Sequence, residues 1–489
     1  MSEERVAEHS VLMDVDEASA APRRPRTPVD KTFRKYDQDQ PMLLAPDIRD
    51  WLAAEHPARW VDALVEDGLD LSPIYDGYTE VRGGPPYDPR LMVKILIYGY
   101  SHGITSSRAL ERRCHDDIAY GFLTAQQAPD FVAISRFRTR HAEAFKKLFT
   151  QSLALCAQAG LVALGRVALD GSKIRASASR HRAMSYDRMV RAEGELAAEV
   201  EGLLADAERL DAAEDAAYGP DRRCDEIPAE LARREGRLAA IRAAKAALEQ
   251  EHQQKARAAA AQAATEHGQE PEKVTAAGDV AEAAAVVPAK AQRSFTDPDA
   301  RIVKTSDGSF HYCYNAQHLV DELSQVILGW ALRPSGADCP ALPDMLTCLK
   351  ASLAAAGIGG LPKTLLADAG YFSAENVTAV TEAGMDPLLA TGRLKHGEKP
   401  PPAPRGRIPK DLTAKQRMTR KLRTLKGKAD YARRKAIVEP VFGQMKVAQD
   451  AGQFRLRGTD KTDGEWALHT FCHNLRKLQN SGWTPQMAI

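Results

Sequence analysis

KTLLADAGYFSAENVTAVTEAGMDPLLAT, residues 363–391, decides the fold class. KTLLAD (363–368) and DPLLAT (386–391) are short apolar runs of strand length. SAENVTAVTEAG between them reads as a helix, with Ser373 as N-cap and Gly384 as its stop. Strand, helix, strand is the repeating unit of an α/β domain. Upstream, HYCYNAQHLVD (311–321) and QVILGWAL (325–332) are β-rich and joined by ELS, so they read as a hairpin. Further back, GRVALD (165–170) is one more apolar run, ending on an acid.

The rest of the chain is helical or polar. Residues 1–40 are polar and rich in Pro and Arg, the composition of a disordered segment. Residues 41–160 carry helical periodicity, including DPRLMVKILIYGYSHG, which Asp88 caps with Pro89 at the first position. Residues 186–290 are rich in Ala, Glu and Arg and read as two long helices joined near Pro220, a hairpin whose tail (265–293) is flexible. This hairpin interrupts an α/β domain made of residues 161–185 and 291–489.

Net charge is only +1, but the charge is segregated. From Arg393 to Lys435 sixteen Lys/Arg face three Asp/Glu, whereas residues 186–290 hold fourteen Lys/Arg and twenty-two Asp/Glu. A basic surface for a polyanion and a solvated acidic region follow. Seven scattered cysteines without a CxxC pair argue against a zinc site or a disulfide framework and fit a reducing, cytoplasmic compartment. MSEERVAEHS is not a signal peptide, and no run of about eighteen apolar residues suggests a membrane span. His318 alternates along an expected strand and reads as structural.

Three acids follow apolar runs: Asp170 after VAL, Asp368 after LLA, Glu439 after AIV. An acid ending a buried strand lies at the sheet edge where open α/β sheets bind ligands. Acids gathered there repel one another unless a cation neutralises them, and oxygen ligands favour Mg²⁺ or Mn²⁺. Two such ions about 4 Å apart serve phosphoryl displacement. Singly, each Asp is equally a strand-end or turn residue, and Glu439 pairs as readily with Lys435 one turn back. The residues alone leave both readings open.

Larger blocks carry a resemblance. LDGSKIRASASRHRAMSY (169–186), LLADAGYFSAENV (365–377) and YARRKAIVEPVFGQMK (431–446) resemble the catalytic blocks of bacterial DDE insertion-sequence transposases, above all the group named for insertion sequence eleven-eighty-two. FRKYDQDQPMLLAPDIRDWL (33–52) and PDFVAISRFRTRH (129–141) are similar to that group's N-terminal domain, DPDARIVKTSDGSFHYCYNAQHLVD (297–321) to its block after the insertion, and HNLRKL (473–478) to its closing helix. The resemblance covers residues 33–480.

It implies an RNase H-like mixed five-stranded sheet with flanking helices, an all-helical N-terminal domain and a long helical-hairpin insertion. Asp170, Asp368 and Glu439 would be the catalytic, metal-holding acids, on the first strand, the fourth strand and the helix after the fifth. Tyr431, Arg434 and Lys446 match the DNA-contacting residues around the acid of that helix. Arg434 lies five residues before Glu439 where the broader pattern has four; Lys435 holds that position, so both are candidates. Glu439 and Lys446 are seven residues apart, about 700° of helix, and share a face. Pro440 requires the helix either to begin beside it or to bend.

The implied activity is Mg²⁺- or Mn²⁺-dependent cutting and joining of double-stranded DNA at terminal inverted repeats and target DNA, by a dimer assembled on the DNA in the cytoplasm, at the nucleoid. An RNase H-like endonuclease without strand transfer, or an inactive DNA-binding relative, are the alternatives. Sequence reading would fall to helices within SSRALERRCHDDIAYGFL (106–123) and VAISRFRTRH (132–141).

Overall fold

The computed structural model describes residues 47–79, 85–178, 183–218, 229–305, 308–334, 338–392, 402–409 and 411–485. The expected N-terminal segment 1–40 and Pro220 lie outside these residues, as do Arg393, Lys395, Lys399 and Lys410 of the basic stretch. Seven helices come first: α1 (Pro57–Ala63), α2 (Ser72–Tyr75), α3 (Pro89–Ser101), α4 (Ser107–Asp116), α5 (Ile118–Leu123), α6 (Phe131–Arg140) and α7 (Ala142–Gln158). Asp88 caps α3 as expected, its carboxylate accepting the Arg90 N–H.

A sheet follows, built from β1 (Arg166–Arg175), then, after the short pair β2 (Ala183–Ser185) and β3 (Gln292–Ser294), β4 (Arg301–Lys304), β5 (Phe310–Asp321), β6 (Ile327–Arg333), β7 (Thr364–Ala367) and β8 (Asp386–Leu389). The order is β4-β5-β1-β7-β8, with β6 also on β5. β1 is antiparallel to β5 and parallel to β7, and β7 is parallel to β8. The sheet has six strands rather than five. β5 is long enough for β4 to pair residues 310–313 and β6 to pair residues 315–320.

β2 and β3 pair at the base of the insertion, from which α8 (Tyr186–Tyr218) and α9 (Ala229–Glu266) extend. Met189, Leu196 and Val200 meet Leu238, Ile241 and Leu248 in a small core of their own. The insertion's tail is ordered, against expectation. Pro271–Ala283 forms α10, held on α9 by Arg257, which pairs with Asp279 at 2.9 Å and Glu282 at 2.8 Å. Gly278 permits the close approach, since a Cβ there would stand 3.1 Å from Arg257 Cγ.

The remaining helices are α11 (Leu342–Ala355), α12 (Ala374–Glu382), α13 (Ala414–Arg423), α14 (Leu425–Ala448) and α15 (Thr459–Asn480). Ser373 caps α12 through the Asn376 N–H, and Gly384 ends that segment at φ 82°, a left-handed conformation that suits glycine. One hydrophobic core runs from the N-terminal helices through the sheet to α14 and α15. His318 is part of it. Its ring lies between Phe442 and Trp466 and accepts the Trp466 indole N–H at 3.1 Å, so it is structural. Among the described residues no helix is long and apolar enough to cross a membrane.

Candidate active site

The site begins where two parallel strands part. The last β1–β7 pair is Leu169 with Ala367. Beyond it β7 turns into a short 3-10 segment, Ala369–Tyr371, capped by Asp368, whose Oδ1 accepts the Gly370 N–H at 2.8 Å. β1 instead continues to Arg175 along β5, so Asp170 is a mid-strand residue and not the strand end expected of it. The ladder to β5 carries the polar GSKIR half of the strand, which has no apolar pattern of its own. Asp170 and Asp368 therefore leave neighbouring strands at one crevice, the place where open sheets bind ligands.

α14 supplies the third acid and the cations. The helix runs unbroken through Pro440, so it does not begin beside the proline. A proline inside a helix leaves the carbonyl four residues back without its donor. Here that carbonyl belongs to Ala436, and the Gln325 side chain donates to it at 3.0 Å. Ile437, Val438, Val441, Phe442 and Met445 bury one stripe of α14. Arg434, on the turn before, is 8% exposed, and its Nη1 donates to Asp170 Oδ2 at 2.8 Å. Its Nη2 stands 3.9 Å from Oε1 of Glu439, a half-exposed side chain. Lys446 donates to Ser172 Oγ at 2.6 Å, and Lys435 is exposed. Of the two cations left open by the sequence, Arg434 is the one beside the acids.

The electrostatics are those of crowded acids around one guanidinium. Burial raises the Asp170 pKa, Arg434 opposes it, and the Asp368 charge raises it further. Burial works against the Arg434 charge, but Asp170, Tyr431 and Asp368 together hold its pKa above the usual value. Tyr431, beside Arg434, has its hydroxyl pKa raised by burial. Burial lowers the Lys446 pKa. Among the described residues no three carboxylate, imidazole or thiol groups are gathered closely enough to hold one metal ion. Arg434 stands between Asp170 and Glu439 instead. The donor set, three carboxylates with hard oxygens, nonetheless fits divalent cations of the Mg²⁺ class.

A fourth acid escaped the sequence reading. Asp338, in the loop after β6, accepts from Asn315 Nδ2 at 2.8 Å and from Gln317 Nε2 at 3.1 Å. No apolar run leads into it in RPSGAD, so the pattern that flagged the other acids is missing.

The helices expected to read DNA divide their arginines. Arg138 of α6 is buried and donates to the Tyr100 hydroxyl, the Thr105 carbonyl and the Ser107 hydroxyl, each at 2.7 Å. Arg112, Arg113 and Arg136 are exposed, and Arg108 lies over the exposed Phe131 ring at 5.0 Å. In the basic segment, Arg420 and Arg423 bind loop carbonyls of Arg405, Gly406 and Pro402. Lys426, Lys428 and Arg433 of α14 are exposed.

Residues 46–140 match a family model described as a transposase domain (DUF772), and residues 287–475 match one described as a transposase DDE domain. No curated protein and no solved structure matches the chain. Asp170 lies in neither stretch; the insertion parts β1 from the strands that flank it. With a transposase domain ahead of a DDE domain on an RNase H-like sheet, the chain belongs to the DDE-type transposases of insertion sequences, DNA-acting enzymes of a family that generally uses divalent metal ions.

Proposed function

We propose that the protein cuts DNA at the ends of its own insertion sequence and joins the freed ends to target DNA, with Mg²⁺ or Mn²⁺, through Asp170, Asp368 and Glu439. The observation that carries this reading is the meeting of Asp170 and Asp368 where β1 and β7 part, with Arg434 of α14 bonded to Asp170. The three acids would hold two divalent ions. Bound there, such ions supply Lewis-acid activation of the attacking and leaving oxygens.

The chain's own groups position and neutralise. Arg434 keeps Asp170 aligned and its charge balanced before substrate arrives. Lys446, anchored by Ser172 on the far side of Asp170 along β1, would meet a backbone phosphate of the same DNA strand. Tyr431 and Lys435 flank that path, and the exposed lysines at the start of α14 add backbone contacts that strengthen binding without reading sequence. In this reading residues 41–160 form the DNA-reading domain, 161–185 with 291–489 the catalytic domain and 186–290 its insertion. The enzyme acts as a dimer holding two inverted repeats, in the cytoplasm at the nucleoid, in the insertion sequence eleven-eighty-two group.

The test is incubation of purified protein with linear DNA carrying the terminal repeats, a target plasmid and Mg²⁺. Nicked ends and joined products are expected from the natural protein, and neither from Asp170→Ala, Asp368→Ala or Glu439→Ala. Wild-type cleavage by any of the three overturns the assignment. Cleavage without joined product would make the protein an endonuclease built on the same acids.

A further inference from the structure

On the face of β1 opposite α14, a second polar cluster reaches the turn that carries Asp368. Gly171 lies across from Gln317, and Lys173 across from Asn315. Asn315 and Gln317 are almost fully buried, which is unusual for amides and requires partners. Their partner is Asp338, whose Oδ1 takes one N–H from each. This fixes the Gln317 amide, because the nitrogen must face Asp338 and the oxygen must face away. That oxygen accepts the hydroxyl proton of Tyr371, which is fully buried. Tyr371 ends the 3-10 segment that Asp368 caps, and its carbonyl is held by Asn376 Nδ2 at 2.8 Å.

Two glycines make room for this arrangement. A Cβ on Gly171 would lie 2.4 Å from Gln317 Nε2 and 3.0 Å from Asp338 Oδ1. A Cβ on Gly370 would lie 3.0 Å from Asp368 Oδ1 and 3.2 Å from Asp338 Oδ2, so these two carboxylates approach one another across a bare α-carbon. The charges of Asp338, Asp170 and Asp368 all reach the Tyr371 hydroxyl, whose pKa is raised, first by burial and then by these three.

We propose that Asp338 is a positioning residue of the reaction centre: through Gln317 and Tyr371 it fixes the turn from which Asp368 projects. This rests on the reading that Asp368 holds a divalent ion. Outer groups that orient metal-binding carboxylates commonly change metal affinity or activity by about 10–100-fold when removed.

The experiment compares Asp338→Ala, Asp338→Asn, Tyr371→Phe and the Asp338→Ala/Tyr371→Phe pair, with Asp368→Ala as reference. Strand-cleavage kcat and KM for end DNA are measured against Mg²⁺ concentration. Mn²⁺ binding to the DNA-free protein is measured by calorimetry, and thermal melting monitors folding. Asp338→Ala is expected to lower kcat and weaken Mn²⁺ binding, each by about 10–100-fold, with KM unchanged and melting lowered by no more than the loss of an acceptor for two buried amides explains. Asp338→Asn should recover most of both, since an amide oxygen still accepts from Asn315 and Gln317. The double variant should be no worse than the more damaging single one, as residues acting in one chain are non-additive.

Wild-type kcat and Mn²⁺ affinity in Asp338→Ala, with Asp368→Ala dead, overturn this inference alone. So does strict additivity with Tyr371→Phe. An active Asp368→Ala overturns the underlying assignment of the acid as well.

Discussion

Arg138 and Arg434 are both buried arginines, 5% and 8% exposed, on helices that pack into the same core. Their surroundings differ. Arg138 makes three bonds to neutral oxygens of α3, α4 and the loop between them, and acts over a short range on the buried Glu465 of α15. Glu465 in turn accepts the backbone N–H groups of Arg455 and Leu456. That network joins helices to one another and to the loops between them. Arg434 donates to Asp170 and stands 3.9 Å from Glu439, while the Asp368 charge acts on both Asp170 and Arg434. The first arrangement ties elements of the core to one another. The second leaves acids in excess of cations, which is the condition a divalent ion relieves.

The contrast is open to direct attack. Arg138→Met should destabilise the fold by about 3 kcal/mol, because the buried oxygens of Tyr100, Thr105 and Ser107 lose their donor, and Mg²⁺ should restore nothing. Denaturant unfolding reads this. A fully stable Arg138→Met with weakened DNA binding would make Arg138 a recognition residue instead.

The same interface sets a pH limit. Burial lowers the pKa of His469 and His473 to about 3, and that of His141 to about 4. Unfolded histidine titrates near 6.5. Below that value the unfolded chain binds protons that the folded one refuses, so stability is fully present above about pH 6.5 and falls progressively toward pH 4. Melting temperature should be flat from pH 7 to 8 and decline below 6.5. A maximum near pH 5 would mean that these rings are charged in the fold.

At the site the expected pattern inverts. Arg434→Gln should lower cleavage about a hundredfold, the loss typical of one preorganised charge-stabilising donor. Its melting temperature should drop in EDTA and recover with Mg²⁺, since the ion replaces the missing charge among the acids. Equal melting in EDTA and Mg²⁺ would show that Arg434 and Arg138 do the same structural job.

How far these regions were legible follows from the range of the interactions that make them. β7, α12 and β8 were readable because their signals are local: apolar runs four residues long, Ser373 ahead, Gly384 behind. Asp368 and Glu439 were flagged by apolar neighbours that anchor them. The extension of β1 past Asp170 was hidden because β5, not the composition of GSKIR, holds it in the sheet. Asp338 was hidden because its partners, 21 and 23 residues upstream, are the inward amides of a strand that reads as ordinary alternation. The third helix of the insertion depends on pairs between Arg257 and acids more than twenty residues away.

Pro440 is the sharpest case, and the smallest effect expected. The sequence offered a helix start or a bend. The freed carbonyl of Ala436 is met by Gln325, 111 positions before Ala436 in the β5–β6 turn, at φ 60°. Its carbonyl meets His473 Nε2 at 3.0 Å, and Lys477 donates to its Oε1 at 3.0 Å, so the amide is aimed before it reaches Ala436. Removing it leaves one exposed helical carbonyl to water, and Gln325→Leu should lose about 0.5–1 kcal/mol. Pro440→Ala returns the backbone N–H to that carbonyl and should make the loss of the Gln325 donor nearly harmless. The double variant is therefore expected to be more stable than Gln325→Leu alone. If the two changes add instead, the amide stabilises the turn rather than the helix, and α14 tolerates its proline for another reason.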